Sequence, residues 1–194
     1  MNIIKNYNLQ NRVTRIEVAN MIYRAMHAGV VELRSVSGNG ADYEIISEHT
    51  FLTEMLNIYK IRGIINANEA TSLTEQNGVG RKLIKINDDE YQDPEQLADD
   101  YLGCDVECYV KYDKDKSTAK VVYVEPTSNT KTVTISNDDI DDVSGNIVKY
   151  YDENKIRKVE VAVISDMIYN GKSTTYNLER LENLGTSDIK FVDN

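Results

Sequence analysis

The chain has 194 residues, a net charge of −10, 41% hydrophobic and 28% charged residues. That is enough chain for one large domain or two small ones, and the balance is that of a folded protein rather than a disordered one. The excess negative charge disfavours nucleic acid and anionic membrane surfaces, and no run of 18 apolar residues is present to span a bilayer.

The opening MNIIKNYNLQNR has neither the apolar core nor the small-residue cleavage site of a signal peptide. The expectation is a protein that stays inside a cell, an internal fragment, or a component of a particle such as a virion. The first helix follows. Thr14 can serve as its N-cap, and Glu17 three residues on completes a capping box. Ile16, Ala19, Ile22, Tyr23 and Met26 recur at helical spacing, and Gly29 is a natural C-cap. A helix this short is marginal alone, so its stripe is expected to dock on the rest of the chain.

Val30 to Ile46 reads as two strands, VVELRSV and DYEIIS, joined by the turn SGNGA. Ser47 to Lys60 reads as a second helix with Phe51, Leu52, Met55, Leu56 and Tyr59 on its apolar face, ended by Arg62-Gly63. From Ile64 the period changes from 3.6 to 2. GIINANEATSL, RKLIKI, CDVECYVKY, AKVVYVEP, KTVTIS, GNIVKYYD, RKVEVAVI and DIKFVDN are strand candidates, separated by polar turns such as NDDE, DKDKS and DENK. One helix is expected to interrupt them, capped by Asp93, with Pro94 at its first position and Gly103 closing it. A second runs from Asn177 to Leu184. The repeated order of strand, helix and strand hints at an internal duplication.

These elements define an α+β protein. A short helical segment packs on a β-rich body of one or two small antiparallel barrels or sandwiches with an inserted helix. The expected division is residues 1–62, a helical segment with a β-hairpin; 63–130, a barrel-like domain with one helix; and 131–194, a second β-rich unit.

The residues offer little chemistry. Cys104 and Cys108 lie on one strand, about 13 Å apart at about 3.3 Å per residue, beyond the reach of a disulfide, and read as reduced, half-buried thiols. His27 and His49 are the only histidines, too few for a zinc site with these cysteines, and each reads as a structural or surface residue. The acidic clusters Asp88-Asp89-Glu90, Asp99-Asp100 and Asp138 to Asp142, and DKDKS at 113–117, lack the register of a calcium loop. Calcium remains the one conceivable cofactor, and the acids otherwise read as solvated turns and strand edges. The GVGRK stretch (78–82) is not followed by the helix of a phosphate loop and reads as a strand-entry turn. No catalytic constellation is visible, so the chain reads as non-enzymatic, with no catalytic, cofactor-binding or metal residue assigned. Thirteen tyrosines against two phenylalanines and no tryptophan suit half-buried sheet faces.

VTRIEVANMIYRAM resembles the second helical portion of an S-layer homology motif. FLTEMLNIYKIRGIINANEATSL, DDYLGCDVECYVKYDKDKSTAKVVYVEP and YYDENKIRKVEVAVISDMIYNGK are similar to the β-rich region that follows such motifs in surface proteins of Gram-positive bacteria. Where relatives read glycine-valine-valine-threonine-alanine-asparagine, this chain has Gly63, Ile64, Ile65, Asn66, Ala67 and Asn68. In that family three such motifs together grip cell-wall polysaccharide, with Arg15 and Glu17 here at signature positions. The resemblance implies a non-catalytic structural module of a surface-layer or cell-wall-associated protein. It would be displayed at the cell surface as part of a larger protein and act through self-association or contacts with other surface proteins. A phage virion protein built on the same module, with virion location and virion partners, is one alternative. A calcium- or glycan-binding domain taking cell-wall polysaccharide is the other.

Overall fold

The computed structural model describes residues 13–38, 40–115, 117–183 and 187–194. The N-terminal stretch read above for a leader, Asn39 of SGNGA and Lys116 of DKDKS lie outside the described residues. The chain falls into two compact units, Met1–Tyr59 with Lys111–Ser117, and Lys60–Val110 with Thr118–Asn194. Strand dominates, with short helical pieces, and the fold class is α+β.

The first unit begins with α1 (Arg15–Met26). Its start follows the capping-box reading. The Glu17 backbone N–H donates to Thr14 Oγ1 at 3.3 Å, and the Glu17 carboxylate accepts from the Thr14 N–H at 2.7 Å. That backbone hydrogen bond also holds the Glu17 carboxyl below its ordinary range. The C-cap is His27 rather than Gly29. The His27 Nδ1 lies 2.8 Å from the Tyr23 carbonyl, and the two rings sit 4.2 Å apart. Gly29 instead opens β1 (Gly29–Ser37), where a side chain would crowd the Ile46 carbonyl oxygen, 2.8 Å from an added Cβ. β1 pairs antiparallel with β2 (Gly40–Thr50).

The second helix is shorter than its apolar spacing suggests. β2 runs to Thr50, and α2 covers only Phe51–Leu56. A Thr50–Thr53 capping box starts it, and Asn57 at φ 53° ends it in the left-handed conformation that asparagine tolerates. β3 (Ile58–Ala67) then takes up Tyr59, which the helical reading had placed on α2.

In the second unit, β3, β4 (Leu83–Ile86), β5 (Asp89–Gln92), β6 (Asp105–Tyr112) and β7 (Ala119–Pro126) close a barrel in the order β3-β4-β5-β7-β6. Its interior is the expected alternation made solid. Ile65, Ile84, Val106, Cys108, Val110 and Val121 are all buried. β5 meets β7 in parallel, so the barrel is not wholly antiparallel. The helix expected after Asp93 does not form. Asp93 is buried and accepts from the Leu97 and Ala98 N–H groups at 3.0 and 2.9 Å, one to two residues further along than an N-cap reaches. Gln96 has φ 56°, which breaks any helical run, and only a 3₁₀ turn at Asp99–Tyr101 remains.

The remaining strands form small sheets. β9 (Ile140–Ser144), β10 (Ile147–Asp152) and β11 (Lys155–Glu160) make a meander, β12 (Met167–Tyr169) and β13 (Lys172–Thr174) a hairpin, and β14 (Asp188–Asp193) pairs with β8 (Lys131–Ser136). Leu178–Asn183 is a 3₁₀ turn rather than the helix read from Asn177 to Leu184, whose last residue lies outside the described residues. Val148, Leu178 and Leu181 centre a second small core with Met167, Tyr176 and Phe191 around it. The two segments suggested as a duplication share no topology, since one lies in the barrel and the other in these small sheets.

Candidate functional site

One face of the β1–β2 hairpin is a contiguous exposed apolar surface. Cross-strand register sets Val31 opposite Ile45 and Leu33 opposite Tyr43. Strict alternation would then place Ser35 on this face and Val36 on the other. It does not, because Arg34 has no cross-strand partner and the register shifts between Leu33 and Ser35. Val36 consequently pairs with Ala41, which shares a face with Tyr43 and Ile45. One bulge therefore gathers Val31, Leu33, Val36, Ala41, Tyr43 and Ile45 on a single face. All six are exposed, Val36 at 73% and Tyr43 at 62%.

The opposite face is charged. Glu32 sits directly across from Glu44, a repulsive pair in isolation. Arg34 Nε lies 3.8 Å from the Glu44 carboxylate, and His49 Nδ1 lies 3.5 Å from Glu32. The bulge residue thus also supplies the cation this face needs. α1 carries its own uncovered stripe, with Ile16, Ile22 and Tyr23 exposed and no residue of the helix buried.

The second unit carries two further features. On the barrel exterior, Lys60 Nζ lies 2.6 Å from the Glu107 carboxylate and 6.0 Å from the Tyr109 ring centre. Tyr109 and Tyr123 lie 6.1 Å apart at 59°, too tilted to form one flat platform for a ring ligand. The Tyr123 hydroxyl donates to Glu125 at 2.8 Å, which pushes its ionisation up. Beside Met167, Tyr169, Leu178, Ile189 and Phe191 lies a cavity of 380 Å³, also lined by Tyr176, whose hydroxyl is buried without a hydrogen-bond partner among the described residues.

The residues singled out from sequence do not converge on these features. Arg15 and Glu17 stay in the first turn of α1, Glu17 as the capping carboxylate. Asp141 and Asp142 lie on β9, where Asp142 accepts from Lys149 at 2.9 Å. Asp115 accepts from Ser117 in the turn after β6. Burial, and then the neighbouring Asp93, raise the Asp99 carboxyl. Among the described residues, no three His, Cys, Asp or Glu side chains gather in an arrangement able to hold a metal ion. Cys104 and Cys108 are free and wholly buried rather than half-buried. Burial pushes both thiols up, Cys108 to about 12, so neither is poised as a nucleophile. GVGRK leads into β4 as read. Gly78 is obligatory there because a side chain would collide with the Asn68 and Glu69 carbonyl oxygens.

Sequence reasoning missed the bulge, whose only trace is the broken alternation at Ser35-Val36. It also missed the lock at the barrel rim. The Asp105 carboxylate accepts from Arg62 Nε at 3.2 Å and from Thr127 Oγ1 at 3.0 Å, while the Asp105 N–H donates to Asn194 Oδ1 at 2.9 Å. Among the described residues, no helix is long and apolar enough to cross a membrane. No protein-family model, curated protein or solved structure matches the chain.

Proposed function

We propose that this chain is a non-catalytic structural module of a bacterial surface-layer or cell-wall-associated protein, displayed at the cell surface and working through protein–protein contacts. The observation that carries the reading is the exposed six-residue apolar face of the β1–β2 hairpin. A two-stranded sheet is marginal by itself, and a contiguous apolar face left in water marks a surface that a partner covers. The similarity of VTRIEVANMIYRAM and the β-rich stretches to S-layer homology proteins supplies the setting. A phage virion would supply an equivalent one, and the neighbouring genes discriminate the two.

The test is retention of the purified chain on cell-wall sacculi. Two preparations are compared, one still carrying its surface proteins and one stripped of them. Retention on the first alone is the expected result. Equal retention on both points to glycan binding and overturns the protein-contact reading, as does retention on neither.

A further inference from the structure

We propose that the cavity beside the second small core binds a small neutral molecule, a flat ring-based body with one hydrogen-bonding group that meets the Tyr176 hydroxyl. The site lies wholly within the second unit and does not rest on the protein-contact reading above.

The second core is hollow on one side. Leu178 and Leu181, two of the residues at its centre, also line the 380 Å³ cavity. Side chains that face a void forfeit the dispersion contacts a filled interior would give them, and apolar walls offer water no partners. The volume falls in the range of roughly 300–1,000 Å³ usual for ligand sites. A cavity of about 150 Å³ already admits benzene, so this one has room for a fused bicycle.

Polarity sorts with depth. On the lining, Asp166, Asp188 and Lys190 are exposed, whereas Met167, Tyr169, Leu178, Leu181 and Phe191 are buried or more than half-buried. Charge therefore stands at the mouth and the floor is apolar. Lys190 Nζ donates to the Asp100 carbonyl, which is not part of the lining. An ionic group carried to the floor would lose its water and meet no counter-charge, so the floor selects a neutral molecule. Tyr169, Tyr176 and Phe191 bring aromatic rings and Met167 a thioether, surroundings that favour a flat aromatic body. The Tyr176 hydroxyl adds the single polar demand, being buried without a hydrogen-bond partner among the described residues. Leaving such a group unmet is costly, and a ligand donor or acceptor beside it recovers that cost.

Indole is the probe. The chain contains no tryptophan, so indole fluorescence excited beyond the tyrosine band reports binding without background. Titration with the full-length chain is expected to saturate at one site with a Kd of about 0.1 mM. Saturating indole should also raise the melting temperature by mass action. Benzothiophene, the same shape without the N–H, should compete about fivefold more weakly. The charged analogues tryptamine and indole-3-propionate should compete at least about tenfold more weakly.

Two variants place the site. Ile189→Phe fills the cavity and should abolish binding. Tyr176→Phe keeps the ring and should bring indole down to the affinity of benzothiophene, which keeps the test alive if the filled variant does not fold. The proposal is overturned if indole does not saturate, if folded Ile189→Phe binds it unchanged, or if either charged analogue binds as tightly. It is overturned equally if Tyr176→Phe retains the full preference for indole over benzothiophene.

Discussion

β6 and the β1–β2 hairpin carry the same binary pattern and meet opposite fates. In β6, Val106, Cys108 and Val110 alternate with polar residues and are all buried inside the barrel. In the hairpin, Val31, Leu33, Tyr43 and Ile45 alternate as cleanly and are all exposed. Alternation decides which residues share a face. It does not decide whether anything lies over that face, which depends on how many strands the surrounding chain contributes. Five strands close on themselves and bury their inner face, whereas two cannot.

That contrast predicts a steep gradient in mutational cost, greatest in the barrel. Ile65 is fully buried on β3. Ile65→Ala removes three methylene equivalents from a closed interior and should cost about 3–4 kcal/mol, measured by urea denaturation. The Cys108 thiol offers an independent readout. It should resist an aromatic disulfide reagent in the wild type and become accessible as the barrel opens. A loss under about 1 kcal/mol would mean the barrel interior is far looser than its burial implies.

Next in size is Gly63→Ala. A methyl group there would collide with the Asn87 side chain, whose Oδ1 accepts from the Ile64 N–H at 3.0 Å and whose Nδ2 donates to the Arg62 carbonyl at 3.4 Å. Displacing that amide uncouples the β4–β5 turn from β3, at a cost of about 2 kcal/mol. Restoring room with Gly63→Ala plus Asn87→Gly should recover part of the loss.

How far the sequence reveals this gradient depends on the element. α1 was legible to the residue at its start because a capping box is a local device, complete within four positions. The barrel strands β4 and β6 were legible because each alternates, and β7 because it is a run of β-branched and aromatic residues between polar turns. β5 and β9 were not. They sit in Asp-Asp-Glu and Asp-Asp runs that read as solvated turns, and only Tyr91 in β5 and Ile140 and Val143 in β9 turn inward. The expected helix after Asp93 failed for a tertiary reason. Burial of the Asp93 carboxylate makes it gather backbone N–H groups from a wider loop than a helix allows. The hairpin bulge was hidden for a similar reason, since one unpaired arginine changes the register without changing composition.

A smaller effect is expected at the barrel rim. Arg62 hydrogen-bonds Asp105 and holds its carboxyl below the ordinary range. A depressed folded value stabilises the protein above the unfolded value of about 3.9, and the contribution is lost as pH falls through the folded value. Asp105→Asn should therefore cost about 1 kcal/mol at neutral pH, a modest figure because Arg62 is half in solvent. The gap between wild type and variant should narrow below about pH 4. A gap that stays constant down to pH 2 would assign the loss to Thr127 and packing rather than to the ion pair.

The smallest effect is the one that most sharply tests the contrast. Leu33→Ser on the exposed hairpin face removes a side chain as large as those in the barrel, from the same kind of alternating strand. If burial rather than pattern sets the cost, the dilute monomer should change by less than about 0.5 kcal/mol. The assay is run on the isolated chain at low protein concentration, because any partner that covers this face adds stability by mass action. A loss near 2 kcal/mol in the dilute monomer would place Leu33 under cover within a single chain. The hairpin would then be a buried sheet like the barrel, and the reading of its face as a docking surface would fall with it.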